Sequence, residues 1–223
     1  MKKGLLAALL LSGAALAWAP LAHADLVSIG LQEAGVNGGS ITTVASGNGN
    51  ASFSGSYGTF TLNQVSATGT PPLPQPDMDS SSINTSTSTA GTLTVLASET
   101  GVTAPLGTYN MLSGFALTNL ILSGITLVSE TTYVDTANTL YGLGTKLDSA
   151  SFTAIGSSSS VDPTPAFTSS YSLTEVFTVT AKGAGSAAGT ISMQSVPEPG
   201  SLFLLGTGLF ALGLVGWSRR RRA

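Results

Sequence analysis

Apolar and polar residues alternate with a period of two over several stretches of the chain, and no long stretch shows the 3.6-residue spacing of an amphipathic helix. From Tyr171, one row reads Tyr171, Leu173, Glu175, Phe177 and Val179, and the other Ser172, Thr174, Val176, Thr178 and Thr180, the pattern of a half-buried strand. Thr92 to Val95 and Gly58 to Leu62 alternate in the same sense. Ile125 to Val128 and Thr132 to Val134 are β-branched runs expected to pair nearby. Met111 to Ser123, which contains Leu120-Ile121-Leu122, fits a buried strand or a short helix, and a strand is favoured. Asn37-Gly38-Gly39, Gly47-Asn48-Gly49-Asn50, Gly142, Gly144 and Gly156 fall between these runs as turn signals for short antiparallel strands. The pattern predicts an all-β fold: one antiparallel sandwich or jelly-roll-like domain over residues 25–195.

Two segments within that domain read as loops, near 70–90 and 156–166. Pro71 to Pro76 is stiff and extended, the following Asp77 to Ser88 is polar, and Ser157 to Pro165 holds four serines and two prolines. Neither is apolar enough to define a domain of its own, so both are expected to be insertions. Leu96-Ala97-Ser98-Glu99-Thr100 is echoed by Val128-Ser129-Glu130-Thr131, which similar positions in one sheet would explain.

Continuous apolar runs occur only at the two ends. Residues 1–24 carry a basic start at Lys2-Lys3, a short apolar core to Trp18, and small residues at Ala22 and Ala24, the three parts of a signal peptide cleaved after Ala24. Residues 201–217 contain no charge and are followed at once by Arg219, Arg220, Arg221 and Arg222. Seventeen residues rise about 26 Å as a helix, just enough to span a bilayer core. Four arginines on one flank act as a stop-transfer signal, keeping the terminus cytoplasmic and the body outside, with Trp217 at headgroup level. Gly206, Gly208, Gly213 and Gly216 are not spaced as a GxxxG dimer seam.

Between the body and this run stands Val196-Pro197-Glu198-Pro199-Gly200. A VPEP motif, a short glycine-containing apolar helix and an arginine-rich end, on a chain that opens with a signal peptide, resemble the tail of the PEP-CTERM sorting-domain proteins of Gram-negative bacteria. The resemblance covers about residues 196–223 and does not identify the body. It implies a substrate of an exosortase, a membrane-embedded transpeptidase, with Val196, Pro197, Glu198 and Pro199 as the sorting motif and 201–217 as a transient inner-membrane anchor. Signal peptidase and Sec-type export machinery are the other expected partners, and the cell surface or extracellular matrix is the expected destination. Two prolines also forbid helix, which leaves the motif extended for a processing enzyme to grip.

Composition narrows the chemistry of the body. Over residues 25–196, ten acids stand against Lys146 and Lys182, a net of −8, which argues against nucleic acid as a partner. The same stretch holds 28 Ser and 28 Thr, suited to strands and turns. There is no cysteine, and the single histidine, His23, lies in the predicted signal peptide. Hydrolase chemistry on a histidine base and zinc sites built on His or Cys are therefore excluded from the mature body. A Ser-Lys pair with Lys146 or Lys182 finds no support beyond the abundance of serine. Glu33, Glu99, Glu130 and Glu175 are the acids a carboxylate hydrolase could use, and Glu175 stands out because its register puts it between Leu173 and Phe177. A sheet-edge position, or a partner such as Lys182 or a threonine hydroxyl, would account for it structurally. Asp77 and Asp79 resemble a fragment of a calcium loop without its glycine and distal glutamate, so no metal is assigned. Asn50 and Asn84 match the glycan acceptor pattern by coincidence, and Gly47-Asn48-Gly49 lacks the strand-to-helix frame of a phosphate loop.

The expectation is a non-catalytic envelope, surface or exopolysaccharide-matrix protein that needs no cofactor. The alternative is a carbohydrate-binding or adhesive sandwich, with extracellular polysaccharide as partner and a platform built from Tyr57, Tyr109, Tyr133, Tyr141 or Tyr171, since both tryptophans lie outside the body. A carboxylate-based glycan hydrolase ranks third.

Overall fold

The computed structural model describes residues 25–196 apart from 71 and 122–123. Ala22, Ala24, Pro197, Glu198, Pro199, the apolar run 201–217 and Arg219 to Arg222 lie outside the described residues.

The described chain forms strands β1 (Leu26–Glu33), β2 (Thr42–Asn48), β3 (Asn50–Tyr57), β4 (Phe60–Thr68), β5 (Met78–Thr87), β6 (Ala90–Val102), β7 (Asn110–Ile121), β8 (Ile125–Asp135), β9 (Thr145–Phe152), β10 (Gly156–Pro163), β11 (Tyr171–Lys182) and β12 (Gly185–Val196). One short 3-10 turn, Asn37–Gly39, is the only helical element among the described residues. The strands make two six-stranded antiparallel sheets, ordered β2-β1-β6-β11-β8-β9 and β10-β7-β12-β5-β4-β3. The all-β sandwich expected from the alternation is what the chain adopts.

The alternation also explains how the sheets pack. Leu173, Phe177 and Val179 of β11 are fully buried, flanked by Leu93 and Val95 of β6 and Val128 and Val134 of β8. They face Phe115 and Leu117 of β7, Ala187, Ile191 and Met193 of β12, and Met78 and Ile83 of β5 within one continuous core. Removing that much apolar surface from water is the main favourable term in folding.

Several expectations are corrected. The polar segment after Asp77 is not a loop: β5 lies in the interior of its sheet, paired with β12 and β4. Small hydroxyl side chains such as Ser80 and Thr85 fit inward there, beside Met78 and Ile83, while neighbours on both sides satisfy the backbone. The serine run is likewise an edge strand, β10, paired from Gly156 to Pro163 along β7, so Gly156 begins a strand and is not a turn. Ile125 to Val128 and Thr132 to Val134 do not pair; they are consecutive parts of β8, with no turn residue between them to reverse the chain. Loop structure remains around Pro72 to Pro76 and beyond Pro163.

Both ends of the described chain reach the same pole of the sandwich. Asp25 N donates to Thr70 O (2.9 Å), while Ser195 N donates to Asp77 Oδ1 (2.9 Å). Between them, Gln75 Nε2 donates to Asp25 Oδ2 at 2.6 Å. Replacing Phe177 by Ala is expected to lower the unfolding free energy by about 3–5 kcal/mol. Leu127→Ala, at a side chain 39% exposed, should cost less than about 0.5 kcal/mol, and urea titration of both variants checks the contrast.

Candidate functional sites

The four glutamates of sequence interest are all buried, at 5% exposure or less. Glu99, Glu175 and Glu130 occupy the inner face of β6, β11 and β8 in a diagonal row: Glu99 is opposite Leu173, Glu175 opposite Ala97 and Thr132, and Glu130 opposite Phe177. Glu175 is therefore on a central strand, not at a sheet edge, and its partner is neither Lys182 nor a threonine: the Ser80 hydroxyl of the opposite sheet donates to its Oε2. Thr70 N donates to Glu99 Oε1 at 2.7 Å. Neither oxygen of Glu130 has a hydrogen-bond partner, nor has Glu175 Oε1. Loss of hydration raises all three carboxyls, Glu99 to about 7, Glu130 to about 8 and Glu175 well above the ordinary range. Asp25 adds repulsion at Glu99, and Asp79 and Glu99 add it at Glu175.

Glycine makes room for these groups. A Cβ on Gly189 would come within 2.5 Å of Glu130 Oε1, one on Gly69 within 2.5 Å of the Glu99 carboxyl carbon, and one on Gly58 within 1.9 Å of Glu33 Oε2. Gly58 also has φ 57°, a left-handed conformation that glycine adopts without strain. Glu33 is held at the far pole, accepting from Thr59 N at 3.0 and 3.2 Å. The arrangement separates Glu33 from the other three and packs those between the sheets. Carboxylate chemistry on a glycan needs two acids flanking a cleft; these acids flank side chains of the core.

At the pole where both chain ends emerge, a hollow of about 490 Å³ is lined by Gln75, Pro105, Leu106, Tyr109, Ser195 and Val196, among others. Val196, the first residue of the expected sorting motif, is the last residue of β12. Behind the hollow, Phe167 stacks on Tyr171 with ring centroids 3.8 Å apart, and Tyr109 Oη donates to Tyr171 Oη at 3.0 Å. Desolvation raises the Tyr109 hydroxyl to about 12. Asp77, weighed above as a calcium ligand, instead accepts from both Ser195 N and Ser195 Oγ, and the described residues contain no group of three His, Cys, Asp or Glu side chains placed for a metal.

The surface is far less charged than the sequence total suggests. Asp25, Glu33, Glu99, Glu130 and Glu175 are buried, and Asp77, Asp79, Asp135, Asp148 and Asp162 are half-buried. Among the described residues only two charged side chains are fully exposed, Lys146 and Lys182. Serine and threonine are the commonest exposed residues. On the outer face of the first sheet, Thr92 and Thr180 hydroxyls meet at 3.4 Å and those of Thr94 and Thr178 at 3.3 Å. The lower half of that face is covered by the β8–β9 loop, where Tyr141 N donates to Ser98 Oγ at 3.2 Å and Ser172 Oγ to Thr139 O at 2.9 Å. On the outer face of the second sheet, a shallow groove of about 350 Å³ runs over β10, β7 and β12 between Gly114, Ala116, Ser157, Ser159, Thr190 and Ser192. Neither this groove nor the polar hollow carries a carboxylate.

No tyrosine platform forms. Tyr57 and Tyr171 are buried, Tyr109 and Tyr141 are half-buried in hydrogen-bonded positions, and half-buried Tyr133 lies apart on β8. The alternation from Tyr171 marks the inward register of Glu175, whereas Glu99 and Glu130 stood out only through the echo of their two segments. The signal for Glu130 was the row Val128, Glu130, Thr132, Val134, which continues one alternation through the acid.

No protein-family model matches the chain, and no curated protein matches it. Among solved structures it is similar to the enzymatically active domain of tailspike protein 4 from bacteriophage CBA120, at 14% identity and a TM-score of 0.33 over 76% of this chain. That alignment spans only 19% of the tailspike chain. It is also similar to the carbohydrate-binding module TmCBM61, solved with β-1,4-galactotriose, at 12% identity and a TM-score of 0.30 over 66% of this chain and 88% of that one.

Asp77→Ala is expected to remove the acceptor that holds the end of β12 and to raise the amide exchange rate of Ser195 by about 5- to 100-fold, the equivalent of about 1–3 kcal/mol. Hydrogen exchange read by mass spectrometry checks it.

Proposed function

We propose that the chain is an exported, non-catalytic protein of the cell envelope, surface or exopolysaccharide matrix, delivered by its signal peptide and sorted by an exosortase through residues 196–223. The observation that carries this reading is the shared pole: the body begins at Asp25, next to the predicted cleavage site, and ends at Val196, next to Pro197, with Gln75 touching both regions. A domain tethered there stands with one pole toward the membrane and its hydroxyl-rich faces outward. Packing the candidate acids inside the core supports a role without catalysis.

The reading is tested in the native host. With Pro197 and Pro199 both changed to Ala, an uncleaved form is expected to accumulate in the inner membrane, and intact mass spectrometry of each fraction reads it. Unchanged mass and location would remove the exosortase from the account.

A second reading, binding of a neutral carbohydrate polymer, is favoured by the scarcity of exposed charge and by the groove lined with serine and threonine. Uncharged sugar hydroxyls suit uncharged donors and acceptors, and the threonine methyl groups suit the C–H faces of the ring. The full chain in mild detergent is expected to sediment with an insoluble neutral glucan, with affinity insensitive to salt, and Ala116→Arg, which fills the groove, should weaken it at least tenfold. Equal retention of parent and variant would place binding elsewhere, and no retention would end this reading while leaving the sorting one untouched.

A further inference from the structure

Most of a sandwich core is hydrocarbon, yet here three acid side chains cross it in a row. Each is a diagonal neighbour of the next, on the order of 7–8 Å between backbones. We propose that this row makes the domain pH-sensitive: the sheets close tightly while Glu99, Glu175 and Glu130 are neutral acids, and separate more readily as external pH rises and the three ionise.

Among the described residues no cation reaches any of them. Glu130 is paired across the sheet with Phe177 and Ala150, and Gly189 of β12 faces it. Glu175 meets Ser80 of β5, with Asp79 of the same strand near enough to repel it. Glu99 lies against Val27 of β1, Leu173 of β11 and the backbone of Thr70, with Asp25 beside it. From β7 the contribution is the uncharged Ser113, bonded to Thr132 at 2.7 Å. Tyr171 is the remaining titratable neighbour; burial, then Tyr109, raises its hydroxyl, and Glu99 and Asp25 raise it further. The two described lysines, Lys146 and Lys182, are exposed on the outside. Ionising any member of the row therefore puts an unpaired charge in a dry space already bordered by other acids, which a fold tolerates poorly.

The sign follows from which state holds the protons. In the unfolded chain each glutamate loses its proton near its ordinary value of 4.5, whereas burial holds the folded values to about 7 for Glu99, about 8 for Glu130 and higher for Glu175. Stability is thus complete below about pH 4.5 and lost as pH rises through those folded values. Each group raises the unfolding constant by up to about tenfold per pH unit while only the folded state holds its proton, so three together act up to about a thousandfold per unit. The described residues contain no histidine to titrate in this window. An exported domain meets whatever pH its surroundings have, so the row would tighten it in acid and loosen it in alkali.

The test is unfolding of the full chain in mild detergent, followed by far-ultraviolet circular dichroism in urea between pH 5 and 9. The parent midpoint should fall across this range. Glu130→Gln and Glu175→Gln, each neutral at every pH, should match the parent near pH 5, exceed it near pH 8, and reduce the pH dependence by up to about tenfold per unit. A flat parent profile, or variants that keep the full parent slope, would overturn the proposal. Should Glu130→Gln fail to fold, Glu175→Gln, which retains an acceptor for Ser80, carries the comparison. Infrared spectroscopy of the parent at pH 7 is the independent measurement: a protonated carboxyl band that weakens in Glu175→Gln, with Glu130 supplying most of what is left, is expected, and its absence from the parent would also overturn the proposal.

Discussion

The structure depends on keeping water out of the space between two sheets while that space contains polar groups. The fully buried row of Leu173, Phe177 and Val179 in β11 faces a second sheet that contributes Ile191, Met193 and Met78. Burial on that scale drives the sheets together, and it also sets the terms for every hydroxyl and carboxyl trapped with them. Ser113 and Thr132 answer those terms by bonding each other across the core, and Ser80 by donating to Glu175. At Glu130, with both oxygens unpartnered, burial pushes the carboxyl up to about 8.

The same constraint shapes the outside. A chain with ten acids over residues 25–196 presents no acidic side chain as fully exposed among its described residues, because half are in the interior and half are partly covered. What is left is a surface rich in threonine, serine, glycine and asparagine, with two lysines and scattered apolar side chains such as Leu106, Leu143 and Ile155. Recognition at these faces would rest on shape and hydrogen bonds, so the shallow groove over β10, β7 and β12 is the natural place to look for a neutral partner.

Tethering gives these faces an orientation. The chain enters the sandwich at Asp25 and leaves at Val196 on one pole, while the Thr92–Thr180 and Thr94–Thr178 pairs lie along the half of the first sheet that the β8–β9 loop leaves open. In a protein held through its C-terminal tail, as proposed, that open half is turned away from the point of attachment. The hollow beside Val196 and the hydrogen bonds from Ser195 to Asp77 instead belong to the pole where the described chain begins and ends.

Fold class was legible in the sequence, because period-two alternation is a local property: Tyr171 to Thr180 shows its buried and open faces without reference to any other strand. The expectations for the two ends rest on the same kind of local signal, a basic start, a VPEP motif and an arginine cluster, and fall outside the described residues. Strand status in the serine-rich segments was not legible, because β5 and β10 carry little apolar signal of their own and become strands through hydrogen bonds supplied by β12, β4 and β7. The fate of the acids was likewise settled only in three dimensions. A glutamate's charge depends on whether water reaches it, and Glu99, Glu130 and Glu175 lose water only when distant segments, including those bearing Gly69, Gly189 and Ser80, close over them. Alternation along one strand can indicate which way a side chain points; only the opposing sheet decides what it meets there.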